Sequence, residues 1–330
     1  MVLAVAASFT SSYILTPIVA GFMKKIRHVG VDVHKANKPE IPESCGLSIL
    51  LSTILGLLVI MPFDKGNFLK IVSLILSSSF AGFIGLLDDF RKLDAKTKTA
   101  LTVLAIIPII SLGTYVPKLM LPFIGGTRLT LVYLAIMPLA LAVTANATNM
   151  IDVYNGAMVG SMFFSFSALL IASFIKYFYG EVDVFPIYSS AIIMASLLGY
   201  LPYNKYPAKV FNGDVGSLFV GTYFGALAII GRLEVVAVTA FMPQIMNGFG
   251  ILSIIKGLRE RGEIVIRPVA VDLASGLIRA SRNPNAPITL AHMLTLKYSL
   301  KENEIVWCFW LLSLISTVLA IIVAYLTYVH

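Results

Sequence analysis

The sequence predicts an all-α integral membrane protein with about ten transmembrane helices, and three observations carry that prediction. Hydrophobic residues make up 58% of the chain and charged residues only 13%, with a mean hydropathy of +0.88; a soluble globular domain holds roughly 45–50% apolar residues. Ten apolar runs approach the length of about 20 residues that a helix needs to cross a hydrocarbon core about 30 Å thick. Lys and Arg are also shared unevenly between alternate connections, as in a chain threaded back and forth through a bilayer.

The runs fall at approximately 2–23, 46–62, 68–87, 100–116, 129–147, 157–176, 187–203, 215–231, 233–255 and 305–328. The first lacks a positive n-region, and Lys24, Lys25 and Arg27 follow it instead of preceding it, so it reads as a retained span and not as a cleaved signal peptide. Ten spans place the connections 24–45, 88–99, 148–156, 204–214 and 256–304 on one side, with 19 of the 25 Lys and Arg there and 6 opposite. That side is expected to be cytoplasmic, in a cell membrane, with both termini outside. Of the 17 acids, 13 lie on the same side. The orientation rule does not count acids, so a polar working face is the explanation.

The net charge of +8 and pI of about 9.4 come from juxtamembrane residues, which suit anionic lipid head groups and phosphorylated substrates and give no reason to expect nucleic acid. Cys45 and Cys308 sit near cytoplasmic span ends and are expected to be reduced, with no CxxC metal framework. One membrane domain covers 1–330. Its longest hydrophilic segment, 256–304, is expected to fold over a substrate: "GEIVIRPVAVD" alternates like a short strand, "SGLIRASRNPNAP" reads as turn plus loop, and "ITLAHMLTLKYSL" reads as an interfacial helix.

Four polar stretches interrupt the apolar pattern on that side. "FAGFIGLLDDFRKLDAKTKTAL" sets Asp88 and Asp89 at the end of an apolar run; alone the pair fits a solvated helix end, or adjacent carboxylates approaching Mg²⁺. "NATNMIDVYNG" carries Asn146, Asn149, Asp152 and Asn155 at three-residue spacing, which on a helix keeps them on roughly one face; the other reading is an Asn/Asp-rich terminus or turn. "FNGDVGSLFVG" offers Asp214 and a helix N-terminus suited to anions, or reads as a plain turn plus N-cap. "VDVHKANKPEIPESCG" is either a stiff connector or a phosphate or nucleotide contact through Asp32, Lys35, Lys38 and Glu43, with His28 and His34 as surface histidines. All four share one side, so together they describe an oxygen-rich, phosphate-friendly site.

"LLDDFRKLDAKTK", "NATNMIDVYNG", "FNGDVGS" and "KANKPEIPESCG", in their order, resemble the polyprenyl-phosphate N-acetylhexosamine-1-phosphate transferases, most closely the eukaryotic and archaeal branch that acts on UDP-N-acetylglucosamine and dolichyl phosphate. The likeness spans 31 to about 220 and weakens after Ile255. It implies ten helices and transfer of N-acetylglucosamine-1-phosphate to a polyprenyl (dolichyl) phosphate with release of UMP, the first membrane step of glycan assembly for protein N-glycosylation. It implies Mg²⁺, with Mn²⁺ as an alternative, held by Asn149 and Asp214. Asp88 and Asp89 fall on the family's paired acids and Lys98 on the lysine that meets the lipid phosphate, with Asn146 beside it. Asp32, Glu43 and Asn155 fall on nucleotide-sugar positions. The chain departs from the bacterial branch in reading Asp152-Val153-Tyr154-Asn155-Gly156 instead of DGxDG, and in having only His292 where that branch has a His cluster. The resemblance then implies arginines in the last connection, Arg267 first and Arg279 or Arg282 after it.

A phosphate monoester is mostly dianionic at pH 7, so direct attack needs no strong base; a covalent intermediate on Asp88 or Asp89 is the other route. A cation-coupled transporter is the rival class, but it needs polar groups at mid-span and these cluster at one side. A CDP-alcohol phosphotransferase would carry a DG-x-x-A-R-type run, which is absent. The sequence leaves the exact N-acetylhexosamine, the isoprenoid length and a homodimer open.

Overall fold

In the computed structural model, which describes residues 1–35, 37–127, 130–180, 183–255, 266–272 and 274–329, the chain is a helical bundle with small sheets in its connections. The order is α1 (Val2–Lys25), β1 (Val29–Val31), β2 (Glu40–Pro42), α2 (Leu47–Ile60), α3 (Phe68–Phe90), α4 (Ala95–Val103), α5 (Ile107–Ser111), β3 (Met120–Leu121), β4 (Gly125–Gly126), α6 (Thr130–Ile151), α7 (Ala157–Phe178), α8 (Phe185–Asn204), α9 (Gly213–Gly231), α10 (Glu234–Ala240), α11 (Met242–Ile255), β5 (Val269–Asp272), β6 (Leu277–Ala280), α12 (Leu290–Leu294), β7 (Leu300–Lys301) and α13 (Glu302–Tyr328).

Among the described residues seven helices are long and apolar enough to cross a membrane, or eight if the bent pair α10–α11 counts as one span. The other predicted runs are helical but shorter or broken. The run at 46–62 is the shorter apolar helix Leu47–Phe63. The run at 100–116 is divided into α4, a 3₁₀ turn at Leu104–Ile106 and α5, with Pro108 in the first turn of α5. The run at 233–255 bends by 66° after Ala240, and Pro243 lies in the first turn beyond the break, where its missing N–H costs nothing.

The bundle is built around α9, in which every residue from Val215 to Gly231 is buried. Such burial needs close neighbours, and small residues permit it, as is usual between membrane helices. A Cβ on Gly85 of α3 would lie 2.3 Å from the Asp214 carbonyl oxygen, and one on Gly221 would lie 2.3 Å from that of Thr144 on α6. Hydroxyls tie α1 to its neighbours: Ser8 donates to Ile192 O (2.9 Å) and Ser12 to Ser196 O (2.7 Å), while Thr16 and Ser48 Oγ share a bond of 2.9 Å.

The connection after α1 is a hairpin, with Val29 opposite Pro42 and Val31 opposite Glu40. It is pinned to the strand-like segment before α9 by Phe211 N–H to Pro42 O, Cys45 N–H to Phe211 O and Gly46 N–H to Asn212 O, each 2.9 Å. Burial pushes the Cys45 thiol up to about 12, consistent with an unreactive structural cysteine. In the last connection the described residues form an antiparallel sheet in the order β5-β6-β7. The strand expected from "GEIVIRPVAVD" is seen at Val269–Asp272; 262–265 lie outside the described residues. The stretch expected to be turn and loop instead contributes β6, because Ile278 has a core to enter, and the expected interfacial helix is confined to the five residues of α12.

Candidate active site

Helix ends from distant parts of the sequence meet at one end of the bundle. Asp88 and Asp89 close α3, Asn146 and Asn149 lie in the last turns of α6, and Asp214 opens α9. The short α4, started by Asp94 accepting from Thr97 N–H, delivers Lys98 to the same place. Lys98 Nζ donates to Asp88 Oδ2 (2.9 Å) and to Asp214 Oδ2 (2.5 Å). Burial alone pulls the Lys98 pKa down, but Asp214 and Asp88 outweigh it and hold the ammonium above its ordinary value. Asn149 Nδ2 donates to Asp214 Oδ1 (2.7 Å) and to Ser217 Oγ (2.9 Å). Asp88 also accepts from Leu93 N–H (2.6 Å), which fixes the turn between α3 and α4.

Asp89 does something else. Its carboxylate accepts from the backbone N–H of Asp214 (2.8 Å) and of Val215 (3.3 Å), and from Ser44 Oγ–H (2.7 Å). It therefore caps the first turn of α9, where a negative charge meets the unpaired amides and the positive helix end. The anion that the sequence expects at this N-terminus is thus a side chain of the protein itself. Gly213, at φ +67°, makes room, since a Cβ there would lie 2.4 Å from Asp89 Oδ2. His28 Nε2 lies 2.8 Å from Ser44 Oγ and its ring stacks on Phe90, so this histidine buttresses the cap and is not the surface residue expected.

The four polar residues of "NATNMIDVYNG" do not share a helical face. α6 ends at Ile151 and Gly156 sits at φ +86°, so Asp152 and Asn155 leave on a turn before α7. Asn149 joins Asp214, and Asn146 Nδ2 donates to Thr102 Oγ1 (3.2 Å) and Ala142 O (2.8 Å). Asp152 accepts from Asn212 Nδ2 (2.7 Å), while Asn155 Nδ2 donates to Asp32 Oδ2 (3.1 Å) and its N–H to Glu302 Oε1 (2.9 Å).

Asp32 and Asn155 belong to an adjoining polar pocket. Asp32 is buried and paired with the Lys35 ammonium. Burial raises its pKa, but Lys35 and Asn155 outweigh this and hold the carboxyl below its ordinary value. His34 stacks on Tyr154 at 5.0 Å between ring centres, and Lys35 lies over the Tyr206 ring at 5.1 Å. Glu302 is buried, and its Oε2 has no hydrogen-bond partner among the described residues. Glu302 and His34 escape a reading by motif, although an acid at the edge of a long apolar run is the signal by which Asp88 and Asp89 were found. Glu43 is half-buried beside β1, and Lys38 is exposed. Arg267, Arg279 and Arg282 are all exposed, Arg267 just ahead of β5 and Arg279 on β6. β7, paired with β6, runs directly into Glu302, which links the sheet to the Asp32 pocket.

The donor set near Lys98 suits a hard divalent cation. Asp88 and Asp214 provide carboxylate oxygens, and the side-chain amide of Asn149 offers an oxygen once its isosteric ends exchange. A positive charge already sits between the two acids, in the Lys98 ammonium. Asp32, His34 and Glu302 also bring potential ligand atoms within 4.8 Å of one another, but Asp32 is already held by Lys35 and Asn155.

A helical membrane bundle whose helix ends gather two acids, a lysine and an amide has the donor and charge set that a phosphate and a divalent cation call for. The sequence profile of glycosyl transferase family 4 matches residues 71–232. A Saccharolobus solfataricus protein, provisionally named UDP-N-acetylglucosamine–dolichyl-phosphate N-acetylglucosaminephosphotransferase, is 32% identical over 98% of this chain and 96% of its own. A protein of the same provisional name from Sulfolobus acidocaldarius is 28% identical over 98% of this chain and 95% of its own. The phospho-N-acetylmuramoyl-pentapeptide-transferase of Chlamydia muridarum is 31% identical over 74% of this chain and 75% of its own. The chain belongs to glycosyl transferase family 4, the glycosyl-1-phosphate transferases of membranes.

Proposed function

We propose that this protein transfers N-acetylglucosamine-1-phosphate from UDP-N-acetylglucosamine to a polyprenyl phosphate of the dolichyl type, at the cytoplasmic face of the membrane, as one catalytic domain of 330 residues. The observation that carries the proposal is Lys98 Nζ between Asp88 Oδ2 (2.9 Å) and Asp214 Oδ2 (2.5 Å), with Asn149 on the second acid. An ammonium fixed by two carboxylates at a helix end is a ready receptor for a phosphate that arrives from the lipid. Names of relatives over nearly the full chain support the substrate pair.

Lys98 receives the lipid phosphate, with Asn146 beside it. The phosphate is already mostly dianionic at neutral pH, its second pKa being about 6, so one of its oxygens attacks the β-phosphorus without a general base. The phosphoanhydride bond breaks, UMP leaves with the bonding electron pair, and the sugar phosphate stays on the lipid. Asp32, Glu43 and Asn155 hold the nucleotide-sugar, Lys35 keeps Asp32 ionised and oriented, and Arg267 of the last connection grips the diphosphate. Asp214, Asn149 and Asp88 would hold Mg²⁺, which when bound neutralises phosphate charge and polarises the phosphoryl group. Asp89 is a positioning residue: by capping α9 it sets where Asp214 stands.

The test is incorporation of radiolabelled UDP-N-acetylglucosamine into organic-extractable lipid by the purified protein given polyprenyl phosphate, with UMP measured in parallel. Equal release of UMP and lipid-bound label is expected; no lipid-bound label with any UDP-N-acetylhexosamine refutes the proposal.

A further inference from the structure

Tyr154, Asn155 and Gly156 lie in the turn between α6 and α7, and the last helix, α13, holds all three. The Tyr154 ring meets Phe309 edge-on at 6.0 Å between centres. The Asn155 N–H donates to Glu302 Oε1 (2.9 Å), and Trp310 Nε1–H donates to Gly156 O (3.0 Å). Trp310 comes this close because Gly160, in the first turn of α7, has no side chain; a Cβ there would collide with the indole. Beyond these contacts α13 packs along α7, so the turn is fixed against a long helix.

Most amides of this turn find backbone acceptors nearby: Asp152 N–H on Asn149 O, Val153 N–H on Ile151 O and Ala157 N–H on Tyr154 O. That of Asn155 is satisfied from outside the turn, by Glu302. An acid in the first turn of a helix can serve that helix's own end, but Glu304 already does so, closing the capping box on the Lys301 N–H (2.7 Å). Glu302 is buried, and burying a carboxylate is unfavourable unless it is bonded. Its Oε2 has no hydrogen-bond partner among the described residues, so the bond to Asn155 N–H is what its burial secures. The consequence reaches the pocket, because Asn155 Nδ2 donates to Asp32 Oδ2 (3.1 Å) and can do so only while its backbone stays in place.

We infer that Glu302 is a positioning residue for the nucleotide-sugar: through the Asn155 N–H it sets where the Asn155 side chain stands against Asp32, an inference that rests on the reading of Asn155 as a nucleotide-sugar contact. Kinetics of the purified full-length protein with both substrates, and hydrogen–deuterium exchange of the 152–160 segment, test it. Glu302→Ala should raise the KM for UDP-N-acetylglucosamine about tenfold, roughly the worth of a hydrogen bond to a charged acceptor, and leave the KM for polyprenyl phosphate near that of the wild type. Glu302→Gln keeps an acceptor oxygen and should recover most of the loss. Asn155→Ala retains the backbone N–H, so adding Glu302→Ala to it should cost nothing further in KM. Exchange at 152–160 should quicken in Glu302→Ala while that of α9 stays unchanged; Trp310→Phe, which removes only the Nε1–H donor to Gly156, should quicken it less and reads the same turn should Glu302→Ala not fold. A further loss in the double variant would mean that Glu302 touches the substrate itself and overturns the positioning role, as does an equal rise in both KM values or exchange at the wild-type rate in the Glu302 and Trp310 variants. A wild type that yields no lipid-bound label refutes the proposed function instead, and the exchange rates then decide by themselves whether Glu302 holds Asn155.

Discussion

Replacing Asp89 separates a residue that does chemistry from one that places chemistry. In Asp89→Ala the backbone N–H groups of Asp214 and Val215 lose their acceptor at 2.8 and 3.3 Å, and Ser44 loses its own at 2.7 Å. Two buried amide donors left unsatisfied cost about 1–3 kcal/mol each, so the loss of stability is about 2–6 kcal/mol before the helix-end charge effect is added. Asp89→Asn keeps one carbonyl oxygen for the Asp214 N–H and gives up the charge, a loss nearer 1 kcal/mol. Thermal unfolding in detergent should therefore rank wild type above Asp89→Asn and that well above Asp89→Ala. Lipid-linked product formation should persist in Asp89→Asn and fall in Asp89→Ala, because the start of α9, and Asp214 with it, is no longer held. If Asp89→Ala melts with the wild type and Asp89→Asn is nonetheless dead, Asp89 acts on the substrate and the capping argument fails.

Four other outcomes follow from the site. Turnover should require Mg²⁺ or Mn²⁺ and fall about a hundredfold in Asp214→Ala or Asn149→Ala with the protein still folded; full activity of both in EDTA-treated membranes would contradict the metal assignment. Lys98→Ala should raise the KM for lipid phosphate with little change for UDP-N-acetylglucosamine, and Arg267→Lys the reverse, since an ammonium cannot reproduce a guanidinium fork on two phosphate oxygens; wild-type kinetics for Arg267→Lys would move the role to Arg279 or Arg282. The Asp32 pKa is depressed on folding, so its stabilising share is complete above the ordinary carboxylate range and disappears as pH falls through the lowered value; Asp32→Asn should flatten that acid limb of the stability profile, and an unchanged limb would count against the pairing. Cysteines introduced at 91–97 and 274–304 should react with an impermeant reagent only from the cytoplasm and one at 183 only from outside, and labelling of 274–304 on intact cells would invert the proposed orientation.

Much of the bundle and the membership of the site can be read in the residues. Apolar runs report burial in lipid directly, because the bilayer's thickness sets a minimum length, and so the helices of 2–25, 130–151, 157–178 and 302–328 stand where the runs do. Polar residues that interrupt such runs are costly enough to be visible, which is why Asp88, Lys98, Asn149 and Asp214 are found together as their motifs imply. Composition says less about continuity: the breaks at Leu104–Ile106 and after Ala240 depend on local backbone geometry near Pro108 and Pro243, which average hydropathy does not register.

Roles within the site are a different matter, because they depend on distances between residues far apart in the chain. Asp88 and Asp89 are adjacent and chemically identical, yet consecutive helical positions point about 100° apart; one therefore faces Lys98 and the other the amides of α9, 125 residues further on. Asn149 and Asn155 share a motif but not a partner, since Gly156 turns the chain between α6 and α7. Glu302 reaches Asn155 only through the packing of α13 on α7. Membrane residence and phosphate chemistry are legible in the residues because transfer energies and residue types are local properties; that Asp88 meets Lys98 while Asp89 meets the amides of α9 follows from the fold, because charge and hydrogen-bond energies depend on separation in space.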